Sequence, residues 1–300
     1  MQLQHIIGRV HYLPGASNVG LILGEGQQAL LIDTGAGQRS GRRLLQILEA
    51  RGLHLAAIFN THCHGDHVGG NAYLVEHTAA QVYAPLADSV VLEYPVWGTM
   101  CMFGGADPVA ELRVPRFNPQ PCSVDVRVSE GEVHVAGVKV QIVPLPGHTG
   151  THTGYIVDDV FFTGDILAGA EELANNAICY AYSTAKRLQS LEKLRRYTCS
   201  YYVLGHGRVE SDISNLIERN IAQVTDALDF IKGYLRKGCA EASEILTAIC
   251  ERYGIEIRNL KQYYLLNPTL YSYLSHLSNE GEIKYEVRDN RLLWCIEERR

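Results

Sequence analysis

Apolar residues along the chain repeat first with the period of strands and then with that of helices. Residues 18–24 and 28–33 read as two β-strands around a Gly-Glu-Gly turn. Residues 39–51, with Leu44, Leu45 and Leu48 at helical spacing, read as an outer helix. The apolar run at 55–60 reads as a buried strand, and 71–77 as the start of a helix. Further strands are expected at 138–143, at 161–163 and at 201–204, each ending in a glycine-containing loop. Beyond residue 206 the character changes. Ile217, Ile221, Val224, Leu228 and Ile231 mark one face of a long helix over 213–236. A second helix is expected over 241–253 and a third over 269–279, starting after Pro268. Two alternating strands, 283–287 and 291–296, then flank Arg288-Asp289-Asn290.

The loops at those strand ends carry the chemistry. Thr61-His62-Cys63-His64-Gly65-Asp66-His67 packs three imidazoles and a carboxylate into one strand-to-helix loop. His and Asp hold divalent metals while leaving coordination positions open to water. His148, Asp165 and His206 follow at three later strand ends, each beside a glycine. One isolated His-x-His means little, but an ordered set of seven is expected to be a metal site. Asp33, at the end of an earlier strand, is expected to orient a ligand histidine or fix a loop. Cys63 is read as pointing away from the metal, and His152 as a loop histidine outside the ligand set.

The order H-x-H-x-D-H, then H, D and H, resembles the metallo-β-lactamase superfamily, from residue 5 to about 210. The Leu31-Ile32-Asp33-Thr34-Gly35 motif resembles that family's early strand. The resemblance implies an α/β fold, a four-layer αββα sandwich. It implies that His62, His64 and His148 bind one metal, that Asp66, His67 and His206 bind a second, and that Asp165 bridges them. Asp66 and Asp165 would be the catalytic carboxylates. Two divalent ions about 3.5–4 Å apart activate a shared water. The expected activity is therefore a metal-bridging hydroxide attacking a small ester, thioester or lactone. Zinc is the expected ion, although iron or manganese also suits these ligands. A phosphodiesterase or endoribonuclease, and an iron-dependent persulfide dioxygenase, are the alternative enzymes. His64 argues against the diiron flavoprotein branch, whose motif is H-x-E-x-D. Residues 274–283 resemble the winged-helix extension of a subgroup of these hydrolases. A catalytic domain at 1–212 and a helical, winged-helix-like domain at 213–300 are expected.

Composition narrows the function classes. The chain has 300 residues, 46% of them hydrophobic and 20% charged, as in an ordinary globular protein. Its apolar runs are too short to span a membrane, and residues 1–5 show no export signal. Eight cysteines without C-x-x-C spacing read as free thiols, which together with the missing signal predicts a cytoplasmic enzyme. Residues 236–300 hold ten Lys/Arg and ten Asp/Glu, while the rest carries the whole charge of −6. A nucleic-acid partner needs a basic stripe, so a DNA-binding regulator is disfavoured and a small-molecule substrate is expected. The sequence leaves homo-oligomerisation open. The irregular stretch 93–122, carrying Trp97, Met100, Met102 and Phe103, is either a substrate wall or lid, or else a subunit interface or a loop folded on itself. A second irregular stretch, 167–183, follows Asp165 and offers Asn175, Asn176, Tyr180 and Tyr182 for polar substrate contacts, none of which the sequence singles out.

Overall fold

A computed structural model describes residues 2–297; Met1 and residues 298–300, the outer ends of the two expected domains, lie outside the described residues. Seven strands form the first sheet in sequence order: β1 (Gln4–Ile7), β2 (Val10–Leu13), β3 (Val19–Leu23), β4 (Gln28–Ile32), β5 (His54–Phe59), β6 (Gln81–Pro85) and β7 (Val126–Val128). The second sheet runs in order from β13 (Val209–Glu210) through β12 (Tyr201–Leu204), β11 (Val160–Gly164), β10 (Thr153–Val157) and β9 (Val138–Pro144) to β8 (Gly131–Val135).

Alternation along these strands builds four layers. One set of side chains, including Ile22, Leu30, Ile32 and Phe59 from the first sheet and Val140, Ile142, Tyr155 and Phe162 from the second, forms the core between the sheets. The opposite set on the first sheet, Leu21, Leu31, Ile58 and Val82, packs against Leu44 and Leu48 of α1 (Gly37–Glu49) and Leu74 of α3 (Asn71–His77). On the outer face of the second sheet Val143, Phe161 and Tyr202 meet Leu191 and Leu194 of α7 (Thr184–Leu194). A strand buried on both faces reads as a continuous apolar run, which is why 55–60 and 161–163 are recognisable in the sequence. The short helices α2 (Gly65–Val68), α4 (Leu86–Glu93), α5 (Val96–Met102) and α6 (Ala170–Asn175) lie in the connections at one end of the sandwich. Thus α5 and α6 interrupt the two stretches read as irregular.

The last third is helix, helix, helix, hairpin: α8 (Ser214–Leu235), α9 (Ala242–Tyr253), α10 (Leu260–Asn279), then β14 (Ile283–Arg288) and β15 (Arg291–Ile296). Asp289 and Asn290 both take positive φ (51° and 62°), as a tight two-residue hairpin turn requires. Leu216 and Ile217 of α8 belong to the outer core of the second sheet, while Val224 to Leu235 enter the core shared with α9 and α10. The third helix starts nine residues earlier than expected and contains Pro268 in its interior. Asn259 caps it, accepting from the Gln262 N–H at 3.0 Å. Buried Leu270, Tyr273, Leu274 and Leu277, with Tyr263 and Leu266, fix the helix against α8 and α9, which outweighs the backbone hydrogen bond that proline removes. The expectation that all eight cysteines are free is also corrected. Cys239 and Cys295, 56 residues apart, are disulfide-bonded, joining the α8–α9 connection to β15. Spacing alone carried no sign of this, because the pair is made by the return of the final strand. No helix among the described residues is long and apolar enough to cross a membrane.

Candidate metal centre and its cleft

The seven side chains singled out in the sequence converge at one end of the sandwich. Two groups form, in which the ligand atoms lie within 4.8 Å of one another: His62, His64, His148 and Asp165, and then Asp66, His67 and His206. Nδ1 of His64 lies 3.0 Å from Nε2 of His62 and 2.9 Å from Nε2 of His148. Asp165 sits between the groups. Its Oδ2 is 3.5 Å from His148 Nε2 and 3.3 Å from His206 Nε2, and its Oδ1 is 3.2 Å from His67 Nε2. Asp66 faces the second group, with Oδ2 3.8 Å from His206 Nε2.

Electrostatics divide the groups. Burial pushes the pKa values of His62 and His148 well below the ordinary histidine value, and that of His64 below it, leaving neutral imidazoles suited to a metal. In His67 burial acts the same way, but Asp165 and Asp33 outweigh it and raise the value well above the ordinary one. His206 is likewise pushed up to about 9, with Asp165 overcoming burial. Burial disfavours the Asp165 carboxylate, yet His67 and His206 hold its pKa well below the usual range. The second group therefore draws positive charge. Although close to His67, Asp165 Oδ1 is buried without an aligned hydrogen-bond partner. Converging neutral ring nitrogens, surplus carboxylate charge and an orphaned buried oxygen together fit divalent cations.

The Metallo-beta-lactamase superfamily pattern matches residues 12–206, nearly two thirds of the chain. The chain belongs to the metallo-β-lactamase superfamily. As a member it is a metal-dependent hydrolase, in keeping with its curated relatives. An atrochrysone carboxyl ACP thioesterase of Passalora fulva is 24% identical over 287 residues, covering 92% of this chain and 74% of that protein. A hydroxyacylglutathione hydrolase of Methylobacillus flagellatus is 29% identical over 175 residues, covering 58% of this chain and 57% of that protein. Among solved structures, a metallo-beta-lactamase family protein from Thermus thermophilus superposes with a TM-score of 0.73 at 20% identity, covering 96% of this chain and 97% of that one. A beta-lactamase domain protein from Burkholderia ambifaria gives 0.76 at 18% identity, covering 98% and 93%. Both likenesses are of fold and extend through the C-terminal helices.

Around this superfamily site, buried polar residues hold the loops in place. Asp33 accepts from Thr61 N, Thr61 Oγ1 and His67 Nδ1, all at 2.8 Å, so it orients a candidate ligand. Cys63 lies outside both ligand groups. His152, read as a bystander, is fully buried, and its Nε2 accepts the backbone N–H of Asp165 at 3.1 Å. Asp88 was missed altogether. It accepts from Cys63 N at 3.0 Å and from Thr151 Oγ1 at 2.6 Å, tying the His62–His67 loop to the His148 loop. Asn18 does the same for the His206 loop, donating to the carbonyls of Leu204 and Gly207 at 2.9 Å, while His206 Nδ1 donates to Ala16 O. Any side chain at Gly205 would collide with Asp165 Oδ1, so glycine is required there.

The cluster opens into a cleft of about 1410 Å³. Trp97, Phe103 and Phe117 line one side, which places part of the irregular 93–122 stretch on a cleft wall. Tyr180, from the second irregular stretch, packs its ring 5.3 Å from His64 and 5.4 Å from His148. The residues that follow it are stitched on two sides. Tyr182 N donates to His148 O (3.2 Å) and Ser183 N to Gly147 O (3.0 Å). On the other side Ala181 N donates to Thr269 Oγ1 (3.2 Å) and Thr184 N to Ser272 Oγ (2.7 Å), both on α10. The C-terminal helix is thus hydrogen-bonded to the segment that holds the His148 loop.

Proposed function

We propose that this protein hydrolyses a thioester with two divalent metal ions, zinc being the natural occupant of such a donor set. The observation that carries the reading is the pair of ligand groups joined by Asp165, which lies within 3.5 Å of His148, His67 and His206. In it His62, His64 and His148 hold one ion, Asp66, His67 and His206 hold the other, and Asp165 serves both. When bound, such a pair supplies Lewis acidity and brings the pKa of water toward neutrality. The choice of thioester over lactone or simple ester is supported by the relatives named thioesterase, which run through the C-terminal helices as well as the sandwich.

The reaction adds the oxygen of water to the acyl carbon and breaks the carbon–sulfur bond, giving a carboxylic acid and a thiol. The chain's own residues prepare it. Asp33 fixes Nδ1 of His67 as the protonated nitrogen, leaving Nε2 to face Asp165. His152 holds the Asp165 backbone, and Asp88 keeps His62 and His64 in register with His148. Tyr180 screens the outer edges of His64 and His148 from solvent. Residues 213–300 follow the winged-helix order, but with zero net charge from 236 onward they are assigned to packing and to the cleft. Elemental analysis of protein at saturating zinc, paired with thioester, lactone, phosphodiester and persulfide substrates, tests the reading. Two ions per chain and thioester turnover that a chelator abolishes are expected. One ion per chain, or turnover of the persulfide alone, overturns it.

A further inference from the structure

The superfamily pattern ends at His206, yet one wall of the cleft lies beyond it. Tyr253, Tyr263, Tyr264, Leu266, Pro268 and Tyr271, from the end of α9 and from α10, line the cavity opposite α5. The two walls meet where the rings of Phe103 and Tyr264 approach to 5.3 Å between centroids. Trp97 and Tyr271 are 49% and 45% exposed, large apolar surface that a ligand can cover. Across residues 253–275 the wall carries one charged side chain, Glu256, and no cation. Elsewhere in the lining the arginines are Arg116 and Arg187. Arg116 lies 3.7 Å from Asp66, and Arg187 is buried, donating to Tyr180 O and Asn220 Oδ1.

We propose that α10 and the turn leading into it form the acyl-selecting wall of the cleft, and that the group they take is a flat, uncharged, ring-bearing acyl chain. This rests on the thioester reading above. A cavity of about 1410 Å³ exceeds what small-ligand pockets usually offer, so a short acyl group leaves most of it to water. Aromatic walls reward a ring by edge-to-face and offset stacking beyond the area buried. The near-absence of free cations disfavours polyanionic thiols and a phosphate backbone, both of which need charge pairing. The wall's position relative to the cluster is fixed, because Thr269 and Ser272 bond the same short segment that bonds the His148 loop.

The test uses full-length zinc-loaded protein with N-acetylcysteamine thioesters of acetyl, octanoyl and 2-naphthoyl groups. It adds the matching non-hydrolysable octyl and naphthylmethyl thioethers, whose binding is read by tryptophan fluorescence. We expect naphthoyl kcat/KM to exceed acetyl and octanoyl by about tenfold or more, and the naphthylmethyl thioether to bind more tightly than the octyl one. Tyr264→Ala should erase about tenfold of that preference, mainly through KM, while Tyr264→Phe keeps it. If thioesters are cleaved with no preference for the ring, or Tyr264→Ala leaves the preference intact, the wall assignment falls and the hydrolase reading stands. If no thioester is cleaved but the naphthylmethyl thioether binds in a Tyr264-dependent way, the hydrolase reading falls and the wall stands. Tight binding of a single-stranded oligonucleotide in the cleft overturns the neutral-ligand assignment.

Discussion

Asp33→Asn tests the carboxylate that supports His67 with little backbone disturbance. Asp33 has φ of +60°, a conformation asparagine tolerates and alanine does not, so the backbone needs no adjustment. It is 3% exposed and accepts three hydrogen bonds at 2.8 Å, two from Thr61 and one from His67 Nδ1. An amide keeps one acceptor oxygen and turns the other position into a donor. Placed at Oδ1, that donor leaves the Thr61 N–H unpaired; placed at Oδ2, it leaves both the Thr61 hydroxyl and His67 Nδ1 without their acceptor, and either way His67 faces a neutral amide in place of a carboxylate. One lost charge-assisted bond costs about 1.5–3 kcal/mol, and a second-ion affinity loss of about 10–100-fold follows from a ligand imidazole no longer held in its tautomer. The first group meets Asp33 only through the Thr61 hydroxyl, which lies 3.0 Å from His62 Nδ1, so its ion should weaken less than the second. The assay is competition with a calibrated chelator, resolving two zinc-binding steps, alongside urea unfolding of the metal-free protein. There is also a sign for pH. The His67 pKa is raised above its unfolded value, so its contribution to metal-free stability is fully present below about pH 6.5 and lost as pH rises through the folded value. Removing Asp33 lowers that folded value, so the decline should begin at lower pH in the variant. Unchanged affinity of the weaker zinc step in a folded Asp33→Asn protein would refute the assignment of Asp33 to His67.

Asp165→Ala should abolish binding of both ions, since its carboxylate faces both groups; retention of either at wild-type affinity, by elemental analysis after gel filtration, contradicts the shared position. Metal-free wild-type protein should lose stability in urea as pH rises toward 9, where His206 gives up the proton that Asp165 favours, and zinc should remove that dependence. Ser272→Ala leaves the buried Thr184 N–H without its 2.7 Å acceptor, so unfolding free energy should fall by about 1–3 kcal/mol. Reducing the Cys239–Cys295 bond frees a loop spanning 56 residues, a loss of up to about 4 kcal/mol of stability that thermal melts with and without reductant will show.

The sequence alone determined the parts whose information is local. Two-residue alternation and short apolar runs marked the strands, and helical spacing marked α1 and α8. All seven candidate ligands were readable because four fall within six residues after a buried strand, and His148, Asp165 and His206 each follow a later strand beside a glycine. The role of Asp33 was readable too, as a carboxylate at a strand end. What the tertiary structure decided depends on partners far apart in the chain. His152 looks like any loop histidine until the Asp165 backbone N–H arrives on its Nε2, and Asp88 is one acid in a short helix until the loops carrying Cys63 and Thr151 close on it. Pro268 reads as a helix start because local propensity says so, whereas the apolar face of α10, buried against α8 and α9, carries the helix through it. Thr184 and Ser272, 88 residues apart, meet because two layers pack together. A cleft wall drawn from α10 has no signature in any window of sequence, because it exists only where packing sets that helix opposite α5.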